Sequence, residues 1–343
     1  MKLNIAINGF GRIGRGIFRV LFENPAYLEQ IELIAINELA DLTTMAHLTR
    51  YDSTFGRFCK AIEITDDEMI VDNHRIKILH QASPQQLPWK DLGIDLLLEC
   101  TGSFIDRETA EAHLRSGARK LMFSQPADNS IDTTIVYGIN HQQLSPEHRI
   151  ISNASCTSNC IIPIIHLLDK HYSVEAATIT TIHSAMLDQP ILDSYNKDPR
   201  KTRSAMQSII PVKTELHKGI EKILPQMQDR VESLAIRVPT TNVSMMDANF
   251  WVNREASSTA VNELIREYAD NSLKGILGYS EEELVSCDFI RDPRSSIVDL
   301  SQTRVAGQRL VKIQTWFDNE WGYSNRMLDT ALAIFGKPPV ISV

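Results

Sequence analysis

The sequence predicts a two-domain α/β protein. The first domain is a doubly wound domain of the Rossmann type, and the second is an α+β domain built on a mostly antiparallel sheet. Up to about residue 150, short apolar runs alternate with helical patterns, as they do in parallel sheets. Beyond that point the runs are longer and richer in β-branched residues, which favours antiparallel pairing. The 343 residues are enough to form two hydrophobic cores.

The first elements form a strand, a glycine-rich turn and a helix. Residues 3–8 alternate as a strand, residues 9–14 read Gly-x-Gly-x-x-Gly, and a second strand at 31–36 leads to Glu38. In such a βαβ unit, backbone N–H groups approach a pyrophosphate and the acid accepts hydrogen bonds from a ribose diol. Because a carboxylate repels a 2′-phosphate, the pattern predicts NAD rather than NADP.

The rest of the first domain follows the same alternation. Further strands are predicted from short apolar runs at residues 95–102, 120–124 and 134–140. A helix is predicted at 109–114. Thr101 and Ser124 end their strands at the carboxyl edge of the sheet, where ligands of parallel sheets bind.

The second domain is predicted from longer runs. Its strands are predicted at residues 178–183, 233–238, 243–252 and 310–316. Helices such as 257–272 are expected to cover one face of this sheet. The polar stretch 188–203 contains two prolines and has no periodicity, so a long functional loop is predicted there.

Residues 152–160 place Cys156 in a polar turn that leads into an apolar helix, which Ser152, Asn153 or Ser155 can cap. The unpaired N–H groups at a helix N-terminus favour a thiolate, and they can stabilise an oxyanion. The pattern therefore predicts a nucleotide-dependent enzyme that acts through a covalent thiol adduct.

Two other interpretations of Cys156 are a buried structural cysteine and a metal ligand. Most free cysteines are small buried hydrophobic residues, but burial does not explain the polar neighbours of Cys156. Cys160 lies four residues later and shares its helical face, yet the remaining cysteines are scattered and supply no further ligands. No metal site is expected.

The amino-acid composition indicates which binding partners and which cellular compartment suit this protein. The chain is 43% hydrophobic and 23% charged, with a formal net charge of −8, so no attraction to nucleic acid or to anionic membranes is expected. Five cysteines without framework spacing favour a reducing compartment. No apolar run approaches a spanning length, and residues 1–8 read as a strand rather than a signal peptide. We expect a cytoplasmic protein.

Four motifs carry a family resemblance, at residues 6–15, 155–160, 237–240 and 316–323. They resemble the phosphorylating glyceraldehyde-3-phosphate dehydrogenase family nearly from end to end. The resemblance implies an NAD-binding domain of residues 1–155 and 320–343, a catalytic domain of residues 156–319 and a homotetramer.

Within the family, four further stretches resemble the erythrose-4-phosphate dehydrogenase branch, at residues 35–41, 183–189, 207–212 and 325–330. That branch implies oxidation of erythrose 4-phosphate to 4-phosphoerythronate, a product that feeds pyridoxal phosphate synthesis. The alternative within the family is glyceraldehyde-3-phosphate dehydrogenase itself. A third alternative, a silent NAD-binding or interaction protein, does not require the residues of thiol chemistry that this chain retains.

The resemblance also implies roles for individual residues. Cys156 is the expected nucleophile and His183 its activating base, although a lone histidine is more often a satisfied core residue. The expected cofactor-binding residues are Gly9, Gly11, Arg12, Ile13, Gly14, Glu38, Ala82, Thr101, Ser124 and Asn319. The expected substrate-binding residues are Ser155, Thr157, Lys201, Thr214, Glu215 and Arg237.

The sequence surroundings of four further residues indicate what each of them does. Arg237 lies in an apolar stretch where an unpaired guanidinium would be costly, which favours an anionic partner. A basic run such as the one holding Lys201 is usually a solvated face. Trp321 and Tyr323 are expected to pack in the core, and bordering the nicotinamide is the alternative for Tyr323.

The chain departs from the glyceraldehyde-3-phosphate pattern at four positions. Met186 and Asp188 stand where threonines usually bind phosphate, so one anion subsite is expected to be altered or lost. Glu215 replaces a usual glycine and Ala82 a usual arginine, so Ala82 is left with only its backbone to contact adenine. These changes favour a longer aldose phosphate and release of the product by water.

Overall fold

The computed structural model describes residues 1–340, which form two compact units. Unit 1 contains Met1–Ser155 and Tyr323–Val340, and unit 2 contains Cys156–Gly322. The return to the first domain, expected at residue 320, begins at Tyr323.

The secondary structure of unit 1 begins at residue 3. Its strands are β1 (Leu3–Asn8), β2 (Ile31–Asn37), β3 (Tyr51–Asp52), β4 (Gly56–Arg57), β5 (Glu63–Ile64), β6 (Glu68–Val71), β7 (His74–Leu79), β8 (Leu96–Glu99), β9 (Lys120–Phe123), β10 (Thr133–Thr134) and β11 (Ile150–Ser152). Its helices are α1 (Arg12–Glu23), α2 (Pro25–Leu28), α3 (Leu42–Arg50) and α4 (Arg107–Arg115). Single 3₁₀ turns lie at Pro84–Gln86 and His141–Gln143.

Nine of these strands form one sheet in the order β10-β11-β9-β8-β1-β2-β7-β6-β5. The pairs from β10 to β7 are parallel, whereas β6 and β5 add antiparallel strands at one edge. The strand order reverses at β1, which pairs with β2 on one side and β8 on the other. The carboxyl end of β1 is therefore a topological switch point, where doubly wound sheets bind their ligands.

Helix α1 follows the glycine-rich turn and packs its apolar face into the core. Ile17, Phe18, Val20, Leu21 and Phe22 are all at most 2% exposed. Burial of such a face, rather than helix propensity, supplies most of the stability of a helix this short.

One predicted strand of unit 1 is wrong. Residues 134–140 were expected to form a strand, but β10 ends at Thr134 and the chain turns. The Asn140 side chain accepts a hydrogen bond from the Val136 N–H and donates one to the Thr134 carbonyl. Gly138 has a φ of +90°. Side-chain hydrogen bonds thus close a loop around apolar residues that are buried without being in a sheet.

The secondary structure of unit 2 begins at Cys156. Its strands are β12 (Val174–His183), β13 (Ile210–Val212), β14 (Val231–Arg237), β15 (Ser244–Val252), β16 (Leu277–Ser280), β17 (Ser296–Asp299), β18 (Arg304–Ala306) and β19 (Leu310–Phe317). Its helices are α5 (Cys156–Tyr172), α6 (Leu216–Ile223) and α7 (Ser258–Asp270), and α8 (Trp321–Ile334) continues into unit 1. Turns of 3₁₀ helix lie at Pro199–Thr202, Pro225–Met227, Ser286–Phe289 and Leu300–Gln302.

The sheet of unit 2 has the order β13-β14-β12-β15-β19-β17-β16, with β18 paired to β19. Only the pairs β12–β14 and β16–β17 are parallel among the described residues. The sheet is therefore mostly antiparallel, and the predicted fold class is confirmed. Between β12 and β13 the chain forms only the 3₁₀ turn at Pro199–Thr202.

None of the helices in residues 1–340 combines the length and the apolar character needed to cross a membrane.

Candidate active site

The glycine-rich turn of unit 1 is fixed by close backbone contacts. Gly9 has a φ of +91°, and a Cβ on it would lie 2.6 Å from the Thr101 nitrogen. A Cβ on Gly14 would lie 2.3 Å from the Gly9 carbonyl oxygen. A Cβ on Gly11 would meet nothing within 4 Å, because this residue faces open space at the start of α1. The turn thus leaves room for an anion where backbone N–H groups converge.

A cleft of about 340 Å³ opens at this turn. Five of the predicted cofactor residues line it: Gly9, Gly11, Glu38, Ala82 and Thr101. The other five are not among the residues that line it: Arg12, Ile13, Gly14 and Ser124 of unit 1, and Asn319 of unit 2. The Arg12 guanidinium pairs with Asp52 and lies over the Phe55 ring, while Gly14 packs beneath the turn.

The acidic residue at the end of β2 is held in place by backbone donors. Glu38 Oε2 accepts a hydrogen bond from the Phe10 N–H at 2.7 Å, and Oε1 accepts one from the Leu39 N–H, also at 2.7 Å. The carboxylate is thereby joined to the glycine-rich turn. An acid at this place can accept the hydroxyls of a ribose.

The sequence did not identify several residues of the cleft: Asn8, Asn37, Leu39, Gln81, Pro84, Leu87, Cys100, Ser103, Phe104 and His113. Two of them carried a recognisable signal, because Asn8 and Asn37 are polar residues at the ends of apolar strands. Such residues reach the carboxyl edge of a parallel sheet.

The cleft fits a dinucleotide on geometric grounds. It combines an anion cradle at a helix N-terminus, a carboxylate tied to that cradle, and apolar walls that include Leu39, Leu87 and Phe104. Adenine and ribose require such surfaces on either side of a pyrophosphate.

In unit 2 the structure brings together Cys156, the first residue of α5, and His183, the last residue of β12. Cys156 Sγ lies 3.9 Å from His183 Nε2. His183 Nδ1 lies 2.8 Å from the carbonyl oxygen of Ser184, an acceptor, so Nδ1 carries the proton of the neutral ring. The lone pair of Nε2 therefore faces the thiol, as a general base requires.

The environment keeps both groups neutral at rest. Burial raises the pKa of Cys156 to about 11, against the opposing effects of the Thr157 N–H and the Arg237 charge. Burial, with a further contribution from Arg237, lowers the pKa of His183 to about 4. The N–H groups at the start of α5 lower the pKa of Cys156, as expected, but burial outweighs them and the thiol stays neutral in this state.

A charged cluster lies beside this pair. Arg237, at the end of β14, is paired in register with His183. Its Nε and Nη1 atoms are buried and have no hydrogen-bond partner in the described residues. Asp188 Oδ1 lies 3.9 Å from Arg237 Nη1, while Asp188 Oδ2 accepts a hydrogen bond from Lys201 Nζ at 2.5 Å. Buried N–H groups without a partner are costly, so this guanidinium is prepared for an anionic ligand.

The carboxylate at position 188 is ionised despite partial burial. Burial alone would raise its pKa, but the Lys201 hydrogen bond and the Arg237 charge lower the pKa below its usual value. Met186, the other departure from the family pattern, is 46% exposed and offers no donor from its side chain.

The remaining predicted substrate residues lie around α5 and α6. Ser155 and Thr157 flank Cys156 in the chain. The Thr214 hydroxyl accepts a hydrogen bond from the Leu216 N–H at the start of α6, and the exposed Glu215 pairs with Lys218. Helix α6 packs on the first turn of α5, where a Cβ on Gly219 would lie 3.0 Å from Ser158 Oγ. Thr214 is thus held at the start of a helix that packs on the helix carrying the thiol.

Asn319 is fixed through its carbonyl oxygen. The hydroxyls of Ser184 and Ser244 both donate to Asn319 Oδ1, each at 3.1 Å. The amide hydrogens on Nδ2 are therefore what this residue presents to a ligand.

A strained residue precedes the cysteine in the chain. Ala154 has a φ of +54°, which is unusual for a residue with a Cβ. Its N–H donates to Ser152 Oγ, and its carbonyl accepts a hydrogen bond from the Tyr323 hydroxyl at 2.9 Å. Tyr323 is 4% exposed and Trp321 is 6% exposed. Tyr323 is thus a packed residue that also stabilises this turn, a role that the sequence did not reveal.

Two domain families match the chain. Residues 3–107 match the NAD binding domain of glyceraldehyde 3-phosphate dehydrogenase, and residues 155–319 match its C-terminal domain. The cofactor is therefore NAD, and the enzyme is an NAD-dependent aldehyde dehydrogenase that acts on sugar phosphates. With both of its domain types present in order over most of its length, the chain belongs to the glyceraldehyde 3-phosphate dehydrogenase family.

Proposed function

We propose that this enzyme oxidises D-erythrose 4-phosphate to 4-phosphoerythronate with NAD and releases the product with water. The observation that carries the proposal is the ionised Asp188 in the anion-binding cluster of Arg237. In the branch that the sequence resembles, the product feeds pyridoxal phosphate synthesis, and we place this enzyme there.

The charges of the cluster favour one anion over two. Arg237 has buried N–H groups to offer, whereas the Lys201 ammonium is already bound by Asp188. A substrate phosphate can take the Arg237 donors. A second anion, the inorganic phosphate of a phosphorolytic enzyme, would meet the Asp188 carboxylate. Water carries no charge and is not repelled.

Cys156 and His183 are proposed to carry the covalent steps. As Cys156 Sγ attacks the aldehyde carbon, its proton passes to His183 Nε2, which faces it at 3.9 Å. The Cys156 N–H, at the start of α5, stabilises the oxyanion. The imidazolium then protonates that oxyanion to complete a thiohemiacetal on the cysteine.

Oxidation turns this adduct into a thioester. The NAD cofactor supplies the hydride acceptor when it is bound. The hydroxyl proton of the thiohemiacetal passes to His183 Nε2 and then to solvent, which leaves the acyl group on Cys156. Asn319 is proposed to orient the nicotinamide through its Nδ2 hydrogens, since its oxygen is occupied by Ser184 and Ser244.

Hydrolysis completes the cycle. His183 takes a proton from the attacking water and returns it to Cys156 Sγ as the carbon–sulfur bond breaks. The acid is released, and the neutral thiol and imidazole are restored.

A second candidate is phosphorolysis of glyceraldehyde 3-phosphate, the reaction after which the family is named. The position of α6 favours it, because this helix packs on the first turn of α5 at Gly219 and Ser158, and Thr214 lies just before its N-terminus. The positive end of the helix dipole at that terminus favours an anion. The carboxylate at Asp188 is the reason to prefer hydrolysis.

We further propose a homotetramer in the cytoplasm. Five apolar side chains between β12 and β13 are at least 72% exposed: Leu187, Ile191, Leu192, Tyr195 and Ile209. Such a patch is typical of a subunit interface, and a second copy of this chain is its proposed occupant. The five cysteines are free thiols, as suits a reducing compartment. Light scattering at several concentrations tests the assembly.

The rate of NADH formation tests the reaction. Erythrose 4-phosphate and glyceraldehyde 3-phosphate are compared, each with and without inorganic phosphate. We expect faster turnover of the four-carbon sugar and no requirement for phosphate. A phosphate-dependent preference for the three-carbon sugar would establish the second candidate instead.

A further inference from the structure

A buried carboxylate joins two strand ends behind the cofactor cleft. Glu99 ends β8 and is 1% exposed. Its Oε2 atom accepts a hydrogen bond from Asn8 Nδ2 at 2.5 Å. Its Oε1 atom accepts from the Thr101 N–H at 2.9 Å and from the Thr101 hydroxyl. Asn8 and Thr101 both line the cleft, whereas Glu99 does not.

The polar neighbours of Glu99 are mainly donors. His113 is buried, and its Nδ1 accepts a hydrogen bond from the Trp89 indole N–H at 3.2 Å. Burial lowers the pKa of His113 to about 4, so the neutral ring carries its proton on Nε2. That nitrogen lies 3.6 Å from Glu99 Oε2 and has no hydrogen-bond partner.

The donors continue as a chain across the strand ends. Asn8 Oδ1 accepts a hydrogen bond from Asn37 Nδ2 at 2.7 Å. Asn37 is in turn fixed by the backbone of Gln81, since its Nδ2 donates to the Gln81 carbonyl and its Oδ1 accepts from the Gln81 N–H, both at 2.9 Å. One end of the chain is therefore a backbone that cannot reverse. The other is Glu99, whose pKa is raised by burial, while the hydrogen bonds from Thr101 and Asn8 favour its ionised form, which only accepts.

We propose that Glu99 is a positioning residue of the NAD site: its two acceptor oxygens hold the Asn8 amide in the orientation that suits Asn37 and fasten the Thr101 turn against Gly9. The contact between the two turns is close, because a Cβ on Gly9 would lie 2.6 Å from the Thr101 nitrogen. A shift of Thr101 therefore moves the glycine-rich turn. This inference rests on the family's NAD-binding domain and not on the choice of sugar.

The variant Glu99→Gln tests the acceptor requirement at nearly constant shape. Whichever way the amide introduced by this variant turns, two N–H donors must face each other somewhere along the chain. The clash falls at Thr101 or at Asn8, or, if the Asn8 and Asn37 amides flip, at Gln81. We expect the dissociation constant of NAD, measured by calorimetry on the full chain, to rise about tenfold. Should this variant not fold, Glu99→Asp keeps two acceptor oxygens on a shorter stem, and we expect the same weakening.

The matched control is Tyr27→Phe, which removes a buried 2.7 Å hydrogen bond to Asp329 elsewhere in unit 1. We expect it to lower the melting temperature while NAD binds as in the wild type. If Glu99→Gln binds NAD like the wild type, or if both variants lose affinity equally, Glu99 is only structural and the proposal fails.

A double variant tests the orientation itself. When Glu99→Gln is combined with Asn8→Asp, the amide introduced at position 99 can donate to the acid at position 8, which still accepts from Asn37. The melting temperature without cofactor should recover toward that of the wild type. No recovery would contradict the role of the carboxylate in orienting the amides.

Discussion

The cofactor cleft of unit 1 and the reactive cluster of unit 2 differ in how far the polar groups that face a ligand are already hydrogen-bonded. In the cleft, Glu38 is bound by backbone N–H groups, and the amide of Asn8 is held by Glu99, which lies behind the cleft. In the cluster, two buried nitrogen atoms of the Arg237 guanidinium make no hydrogen bond among the described residues, and His183 Nε2 faces a neutral thiol at 3.9 Å. The cleft is thus a preorganised binding surface, while the cluster stores unmet hydrogen-bonding capacity for the reacting molecule.

The largest expected effect comes from removing the thiol. Cys156→Ala should lower the rate of NADH formation by about 10⁴-fold or more, because no covalent adduct can form. Binding of NAD, measured by calorimetry, should be unchanged, since the cleft is built from unit 1.

Cys160→Ala is the matched control, one helical turn later. Cys160 is buried and donates a hydrogen bond to Ser296. Among the described residues it makes no hydrogen bond to His183. Its turnover should stay near that of the wild type. Equal losses in the two variants would contradict the covalent role of Cys156.

The next effect is a change in pH dependence. The pKa values of about 11 for the Cys156 thiol and about 4 for the His183 imidazole keep both groups neutral from about pH 6 to about pH 9. Because the proton then moves only from one member of the pair to the other, wild-type turnover should vary little over this range. His183→Asn removes the acceptor, and its reaction then follows the thiolate fraction. Its rate should be about 10²-fold or more below the wild type at neutral pH and should rise about tenfold per pH unit. If the pH–rate profiles of the wild type and of His183→Asn ran parallel, His183 would not be the group that takes the proton.

Several of these features could be read from the sequence because their signals are local. The glycines at 9–14 and the turn before Cys156 occupy single short segments. The net direction of the pKa shifts could not be read, because burial depends on distant packing. At Cys156 burial outweighs the N–H groups that favour a thiolate. The Glu99 chain was also missed, since β8, β1 and β2 are neighbours only in the sheet.

The false strand at 134–140 has a related cause. Its apolar residues, including Val136, are buried as a strand would require, so periodicity alone gave no warning. The deciding group is the Asn140 side chain, which hydrogen-bonds to the backbone and closes a loop instead. In unit 2 the pairing of Asp188 with Lys201 likewise needs the folded loop to bring the two together.

Arg237 gives the sharpest test of the difference between the two regions. Arg237→Met should raise the KM for the sugar phosphate about 10²-fold, because it removes the charged donors. It should also raise the free energy of unfolding by about 1 kcal/mol, because a buried guanidinium with unpaired N–H groups is lost.

Asn37→Leu is the corresponding variant in unit 1. Only its free energy of unfolding is compared with that of Arg237→Met. It leaves the Asn8 and Gln81 polar groups unpaired, so its free energy of unfolding should fall by about 2 kcal/mol. Chemical denaturation measures both values. Destabilisation of similar size in both variants would remove the distinction between the two regions.

The smallest effect concerns the acyl acceptor. Asp188→Thr removes the negative charge beside Arg237, so inorganic phosphate should then speed product release about tenfold, while the wild type does not respond. Asp193→Thr is the matched control, because Asp193 pairs with Arg203 on the same exposed stretch. A phosphate response in the wild type, or none in Asp188→Thr, would show that Asp188 does not exclude the second anion.

The most direct measurement follows the oxygen of the product. Erythrose 4-phosphate is oxidised in heavy-oxygen water with inorganic phosphate present, and the product is analysed by mass spectrometry. We predict 4-phosphoerythronate as the first product, with heavy oxygen in its carboxylate and no acyl phosphate, formed through an acyl adduct on Cys156. An acyl phosphate as the first product would contradict release by water, and with it the proposed function.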